Sequence, residues 1–234
     1  MEMLKIKYAN EEIEVEEGTP INILFEEEIN NEDIIACVYN NEVKSLNILI
    51  TKSGEISLLK YADLEGKRIY NRGIIYIMTM AIQELYPDIK LSVNYQLGSA
   101  MYCEIENGTI NKEFMEKVTL KMREIVEKDY LIEKVTLSKE QAQKFYDNNS
   151  TYVGKLQLHY KVKDEVSFYC CNGFFNYLYG ILPIKTGILR TFEIEKYNNG
   201  FLLYFPDMFD MNKITRNKNT KKLYITLEEY DDIN

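Results

Sequence analysis

A change of hydrophobic period near residue 73 constrains this chain more than any other feature. Before it, apolar residues come in short alternating or continuous runs bounded by turn signals. Residues 4–9 and 13–15 read as two strands joined at Asn10-Glu11-Glu12. Gly18-Thr19-Pro20 stops the second strand, with Thr19 as a helix cap and Pro20 in the first helical position. Ile21, Leu24, Phe25 and Ile29 then follow at helical spacing. A further apolar run spans residues 34–39, Asn40-Asn41 marks a tight turn before Glu42-Val43, and residues 55–58 give one more short strand. Residues 63–72 are polar and charged and read as a linker. From Gly73 the period becomes that of a helix, with Ile74, Ile77, Met78, Ala81, Ile82 and Leu85 on one broad face and Pro87 beyond its end. Two strands, a helix and more short strands are the order of a small β-grasp, so the expected division is residues 1–67 and 68–234.

The second part alternates between element types. Residues 90–95 and 101–105 read as strands around Gly98-Ser99. Residues 111–129 form the clearest amphipathic helix, with Phe114, Val118, Met122, Ile125 and Val126 on one face. Ser138 and Gln141, three apart, make a capping box at the start of another helix. Strand-like runs follow at 156–160, 166–171, 191–196 and 201–205, the last two joined by Asn198-Asn199-Gly200. The expected class is α+β, with the helix of residues 73–86 against a mostly antiparallel sheet.

Composition narrows the function classes. Apolar residues make up 46% and charged residues 28%, which is a folded chain's balance. No run of eighteen apolar residues is present, and residues 1–8 lack a signal peptide's layout, so a cytoplasmic protein without a membrane span is expected. Of four cysteines, Cys37 and Cys103 sit in apolar runs and read as core thiols, Cys170 and Cys171 are adjacent, and the single His159 without a Cys-x-x-Cys argues against a structural zinc site. The net charge of −9 disfavours non-specific nucleic-acid binding by the whole molecule. A local exception is residues 213–222, where Lys213, Arg216, Lys218, Lys221 and Lys222 occur without an acid. They read either as a solvated loop or as a phosphate or RNA contact. The aromatics around Cys170 and Cys171, from Phe168 to Tyr179, read either as core or as a surface for stacking a base. Residues 180–187 approach a phosphate-binding loop but place Lys185 one residue too early and interpose Pro183.

Residues 76–87 and the later Cys171-Asn172-Gly173-Phe174-Phe175 resemble the accessory region of threonyl-tRNA synthetases, where His-x-x-x-His on a helix and a later Cys-x-Gly-Pro-His form a hydrolytic editing site. Here Tyr76 and Met80 stand at the helix positions and Phe175 at the last histidine, while Cys171 and Gly173 are kept. Residues 1–67 likewise resemble the TGS domain of those enzymes. Residues 68–210 resemble the second accessory domain of the threonyl- and alanyl-tRNA synthetases, best at 81–87, 98–106 and 111–129. The resemblance implies a degenerate editing cleft lined by Tyr76, Met80, Cys171, Asn172 and Phe175, with no metal and no catalytic residue. Phenol ionises near pH 10 and a thioether carries no transferable proton, so neither Tyr76 nor Met80 can activate water at neutral pH.

Residues 169–187 and 192–206 are also similar to bacterial proteins of the uridine kinase and phosphoribulokinase class. That similarity implies a non-catalytic regulatory module, binding a nucleoside or small effector, ahead of a P-loop kinase domain in cis that alone holds ATP and magnesium. The other reading kept open is an RNA-binding protein, or a trans-editing hydrolase of mischarged tRNA using Cys171.

Overall fold

The computed structural model describes residues 2–148 and 164–216. The first unit is a five-stranded mixed sheet with strand order β2-β1-β5-β3-β4. Strands β1 (Met3–Tyr8) and β2 (Glu11–Glu16) form an antiparallel hairpin, and β5 (Gly54–Lys60) runs parallel to β1 with Ile6 beside Gly54. Strands β3 (Ile34–Tyr39) and β4 (Glu42–Lys44) turn at Asn40 and Asn41, whose φ angles of 50° and 65° are the pair a two-residue hairpin needs. Two short helices, α1 (Ile21–Leu24) and α2 (Glu26–Asn31), bury Ile21 and Phe25 against Leu4, Ile6, Val15, Cys37 and Ile56. The cap of α1 is Pro20, one residue later than the sequence suggests, because the Thr19 hydroxyl instead donates to Glu16 O and closes the turn after β2.

Helix α3 (Leu64–Leu85) corrects the expectation of a linker over residues 63–72. The polar side chains of that stretch lie along one side of a helix that begins directly after the sheet, with Ile69 and Tyr70 fully buried on the other. Gly66 permits the abrupt start, since a Cβ there would fall 1.9 Å from Lys60 O. Between Tyr76 and Ile82 the helix is buried on every side. It packs on helix α4 (Lys112–Glu127) and against β3 and β5, so Ile35, Ala36 and Tyr61 of the first unit share one core with the second. The Tyr61 hydroxyl donates to Pro206 O at 3.0 Å and fixes the two units together.

The second unit carries two antiparallel sheets. One, in the order β11-β12-β7-β6, joins β6 (Leu91–Leu97), β7 (Ala100–Ile105), β11 (Glu193–Tyr197) and β12 (Gly200–Tyr204). The other, β10-β9-β8, is built from β8 (Glu133–Ser138), β9 (Glu165–Cys171) and β10 (Phe174–Tyr177) and is covered on one face by helix α5 (Lys139–Asn148). The capping box forms as read: Ser138 N donates to Gln141 Oε1 and Gln141 N to Ser138 Oγ. Asn111 caps α4 by accepting from Phe114 N at 2.8 Å. The strand expected at 156–160 lies outside the described residues. The class is α+β. Residues 1–63 hold fourteen acidic side chains against five basic ones, so they account for the whole net charge of −9 and the remainder is neutral.

Candidate functional site

Tyr76 and Met80 project from the most buried turn of α3, and neither has any exposed surface. The Tyr76 hydroxyl lies 3.1 Å from both Tyr169 O and Phe174 O and donates to these carbonyls of the β9–β10 hairpin. Its ring meets Phe174 edge-on, with centroids 5.2 Å apart. Burial holds the phenol far above its ordinary pKa, so it serves as a fixed donor and never as a base.

The residues carried by the Cys171-Asn172-Gly173 segment are parted by strand geometry. Asn172 and Gly173 have φ angles of 46° and 81° and form the two-residue turn between β9 and β10, with Cys171 opposite Phe174. Tyr169, Cys171 and Phe174 face α3, while Phe168 and Phe175 face α5, where the Phe175 ring sits 5.6 Å from Phe145. Phe175, expected beside Tyr76 and Met80, is therefore on the opposite face of the sheet, because successive strand residues alternate sides. Asn172 is exposed at the tip and remote from the buried side chains by virtue of the turn. Cys171 is 1% exposed, and burial, with lesser contributions from Cys170 and Glu84, pushes its thiol up to about 12. A thiol held neutral and closed to solvent is not a nucleophile at physiological pH. Among the described residues Tyr76, Met80 and Cys171 thus belong to a packed joint between helix and hairpin.

The basic segment is partly committed as well. Arg216 binds Glu193 at 2.5 Å and Glu195 at 3.0 Å on the edge strand β11, with its guanidinium 5.2 Å above the Tyr204 ring. Two of its N–H groups are thereby directed at carboxylates within the protein. Lys213 is exposed. Lys218, Lys221 and Lys222 lie outside the described residues, as does His159. Among the described residues no three His, Cys, Asp or Glu side chains converge as a metal site.

Residues 180–187 clasp the end of α4. The buried Thr186 hydroxyl donates to Ile125 O at 2.7 Å and accepts from Tyr130 N, Gly187 N donates to Asp129 Oδ1, and Lys185 lies 3.4 Å from Asp129. The donors a phosphate would require are engaged within the protein.

An open groove of about 780 Å³ lies elsewhere, between the two units. Glu26, Glu32 and Asp33 line it from the first unit. Arg123, Lys185 and Arg190 line it from the second, with Glu127 and Asp129. Nothing in the sequence pattern pointed to it, because its residues come from five separated segments.

The mixed α+β class with its several sheets is consistent with the accessory-domain fold expected from the sequence. The chain is homologous to the N-terminal region of threonyl-tRNA synthetases. It is 29% identical over 228 residues to the threonine–tRNA ligase of Aquifex aeolicus, covering 92% of this chain and 34% of the relative. It is 31% identical over 197 residues to that of Clostridium kluyveri, covering 82% and 31% respectively. It is 24% identical over 216 residues to the probable cytoplasmic threonine–tRNA ligase of Encephalitozoon cuniculi, covering 90% and 33%. The chain spans about a third of the length of these relatives. No family model matches it. Nothing in these relatives supports a tie to uridine kinases. No helix among the described residues is long and apolar enough to cross a membrane.

Proposed function

We propose that this chain is a recognition module of threonyl-tRNA synthetase descent that binds tRNA and does not hydrolyse aminoacyl esters. The single observation that carries the second half is the closed Tyr76–Cys171 joint, where a phenol bonded to two backbone carbonyls stands in place of a base. The first half is supported by homology reaching 31% identity across most of the chain. In this reading the chain needs no metal or cofactor of its own, works in the cytoplasm, and meets RNA through its second unit. The first unit's charge of −9 repels phosphate, whereas the second is neutral overall and holds the lysines of residues 213–222. A downstream kinase domain holding ATP and magnesium has no observation in its favour and is not adopted.

Fluorescence anisotropy with a threonine-accepting tRNA at several salt concentrations, run beside deacylation of the same tRNA carrying serine, tests both halves. Binding should weaken steeply with salt, and the serine ester should decay no faster than without protein. Absence of binding at low salt, or deacylation removed by Cys171→Ala, would sink the reading.

A further inference from the structure

The groove between the units gathers side-chain groups that the fold leaves unused. Glu26 and Asp33 line the first unit's wall, and Arg123 and Arg190 line the second unit's wall beside Glu127. Two further acids are already engaged, Glu32 with Lys60 at 2.5 Å and Asp129 with Lys185 at 3.4 Å. Among the described residues Glu26, Asp33, Arg123 and Glu127 enter no ion pair and no side-chain hydrogen bond. Arg123 lies over Phe192, 5.3 Å from the ring centroid, which holds its plane. Arg190 spends only Nε, on Gly187 O at 2.9 Å. Three carboxamides, Asn22, Asn30 and Asn212, face the same space, and among the described residues their side chains make no hydrogen bond. Apolar surface from Ile34, Leu46 and Ile184 completes the lining.

We propose that this groove binds short peptides with free termini. The peptide's ammonium faces Glu26 and Asp33, its carboxylate faces Arg123 and Arg190, and its apolar side chains lie against Ile34, Leu46 and Ile184. A peptide bond carries one donor and one acceptor, and a carboxamide offers the matching pair. Free Asn22, Asn30 and Asn212 therefore suit a run of amides. A guanidinium presents parallel N–H groups that fit the two oxygens of a carboxylate. The acidic and basic walls stand outside ion-pair reach of each other, so a ligand that satisfies both needs its own charges well apart. A peptide separates its terminal charges by several bonds per residue, which a single amino acid does not. The open volume of about 780 Å³ falls within the ordinary range for small-molecule sites. The site is distinct from the Tyr76–Cys171 joint and does not depend on RNA binding.

Calorimetric titration of the full chain with the tripeptide Ala-Leu-Ala tests this, beside its N-acetylated form, its C-amidated form and free leucine. The unblocked tripeptide should bind roughly tenfold more tightly than either blocked form, as loss of one charged hydrogen bond dictates. Asp33→Asn should weaken the unblocked and C-amidated peptides by roughly tenfold and leave the N-acetylated peptide unchanged. Arg123→Gln should weaken the unblocked and N-acetylated peptides and spare the C-amidated one. Both side chains are exposed, and far-ultraviolet dichroism checks that the variants fold. The blocked peptides make the same comparison on the unsubstituted chain. No binding at millimolar concentration, equal binding of the blocked forms, leucine binding as tightly as the tripeptide, or indifference to both substitutions would overturn the proposal. Transfer-RNA binding measured on the same variants keeps the two readings separate, since its absence with intact peptide binding would remove only the RNA proposal.

Discussion

The joint at Tyr76 and the groove at Arg123 are opposites in every physical respect. At the joint, polar atoms are few, enclosed and paired with backbone, and the nearby thiol is driven neutral. The groove instead is lined by charged side chains around an open cavity of about 780 Å³, with Glu32 paired to Lys60 and Asp129 to Lys185. The contrast shows that tyrosine and cysteine side chains can act as pure packing in one part of a fold while charged side chains gather where two units meet. Charged groups are retained in the open groove because water solvates them there at little cost, whereas the same groups inside the joint would each need a partner. A cavity's chemistry therefore has to be judged from which atoms remain unsatisfied at its surface. Resemblance of position along the chain is a poorer guide.

The sharpest way to break this contrast is to empty the joint. Tyr76→Ala removes a fully buried ring and strands two carbonyls, and should cost about 4 kcal/mol in urea unfolding. Tyr76→Phe keeps the ring and should cost about 1–2 kcal/mol, the loss of the donor alone. If Tyr76→Ala cost under about 1 kcal/mol, the joint would be a loosely filled cleft after all.

Alkaline pH probes the same burial without mutation. An unfolded thiol ionises near pH 9, while burial pushes Cys171 and Cys37 up to about 12 in the folded chain. Unfolding therefore releases protons in that window. This contribution to stability is complete below pH 9 and is lost as pH rises from 9 towards 12, by up to about 1.4 kcal/mol per pH unit for each thiol. Urea midpoints at pH 8, 9 and 10 should fall in that order, and Cys171→Ala should flatten the slope. Smaller still is the tie between the units, where Tyr61→Phe should cost about 1 kcal/mol through the hydrogen bond to Pro206 O.

Much of the fold was legible because local signals act over a few residues. The Asn40-Asn41 turn and the Ser138–Gln141 box both formed where the sequence placed them. Residues 64–72 were misread because a helix resting on a sheet by one side can be polar over most of its circumference. Strand β8 was missed although Val135 and Leu137 alternate with polar neighbours, since it is short and sits between two helical patterns. The dipeptide Asn172-Gly173 is a strong hairpin signal, yet its place in the editing resemblance drew attention to Cys171 instead. Knowing that a tight turn follows Cys171 would have put Phe174 and Phe175 on opposite faces from sequence alone. The groove was not legible at all, because its two walls become neighbours only when α3 seats the first unit on the second.

The smallest expected effect is also the most discriminating. Arg123→Gln and Asp33→Asn should each shift folding stability by less than about 1 kcal/mol, while Tyr76→Ala shifts it by several. Among the described residues Arg123 meets the Phe192 ring, a contact of the kind that contributes about 0.5–1 kcal/mol at an exposed site, and Asp33 sits in a unit already crowded with negative charge. Removing Asp33's charge relieves repulsion within a unit that carries a net charge of −9, so a slight gain in stability is the expected sign. The measurement is urea unfolding at low and at moderate salt, where screening should shrink any gain from Asp33→Asn. Near-neutral values would leave these side chains free of structural duty and available to a ligand. A loss of 2 kcal/mol or more from either substitution would mean that the groove's charges hold the units together, and the distinction between a structural joint and a functional groove would fail at its weaker end.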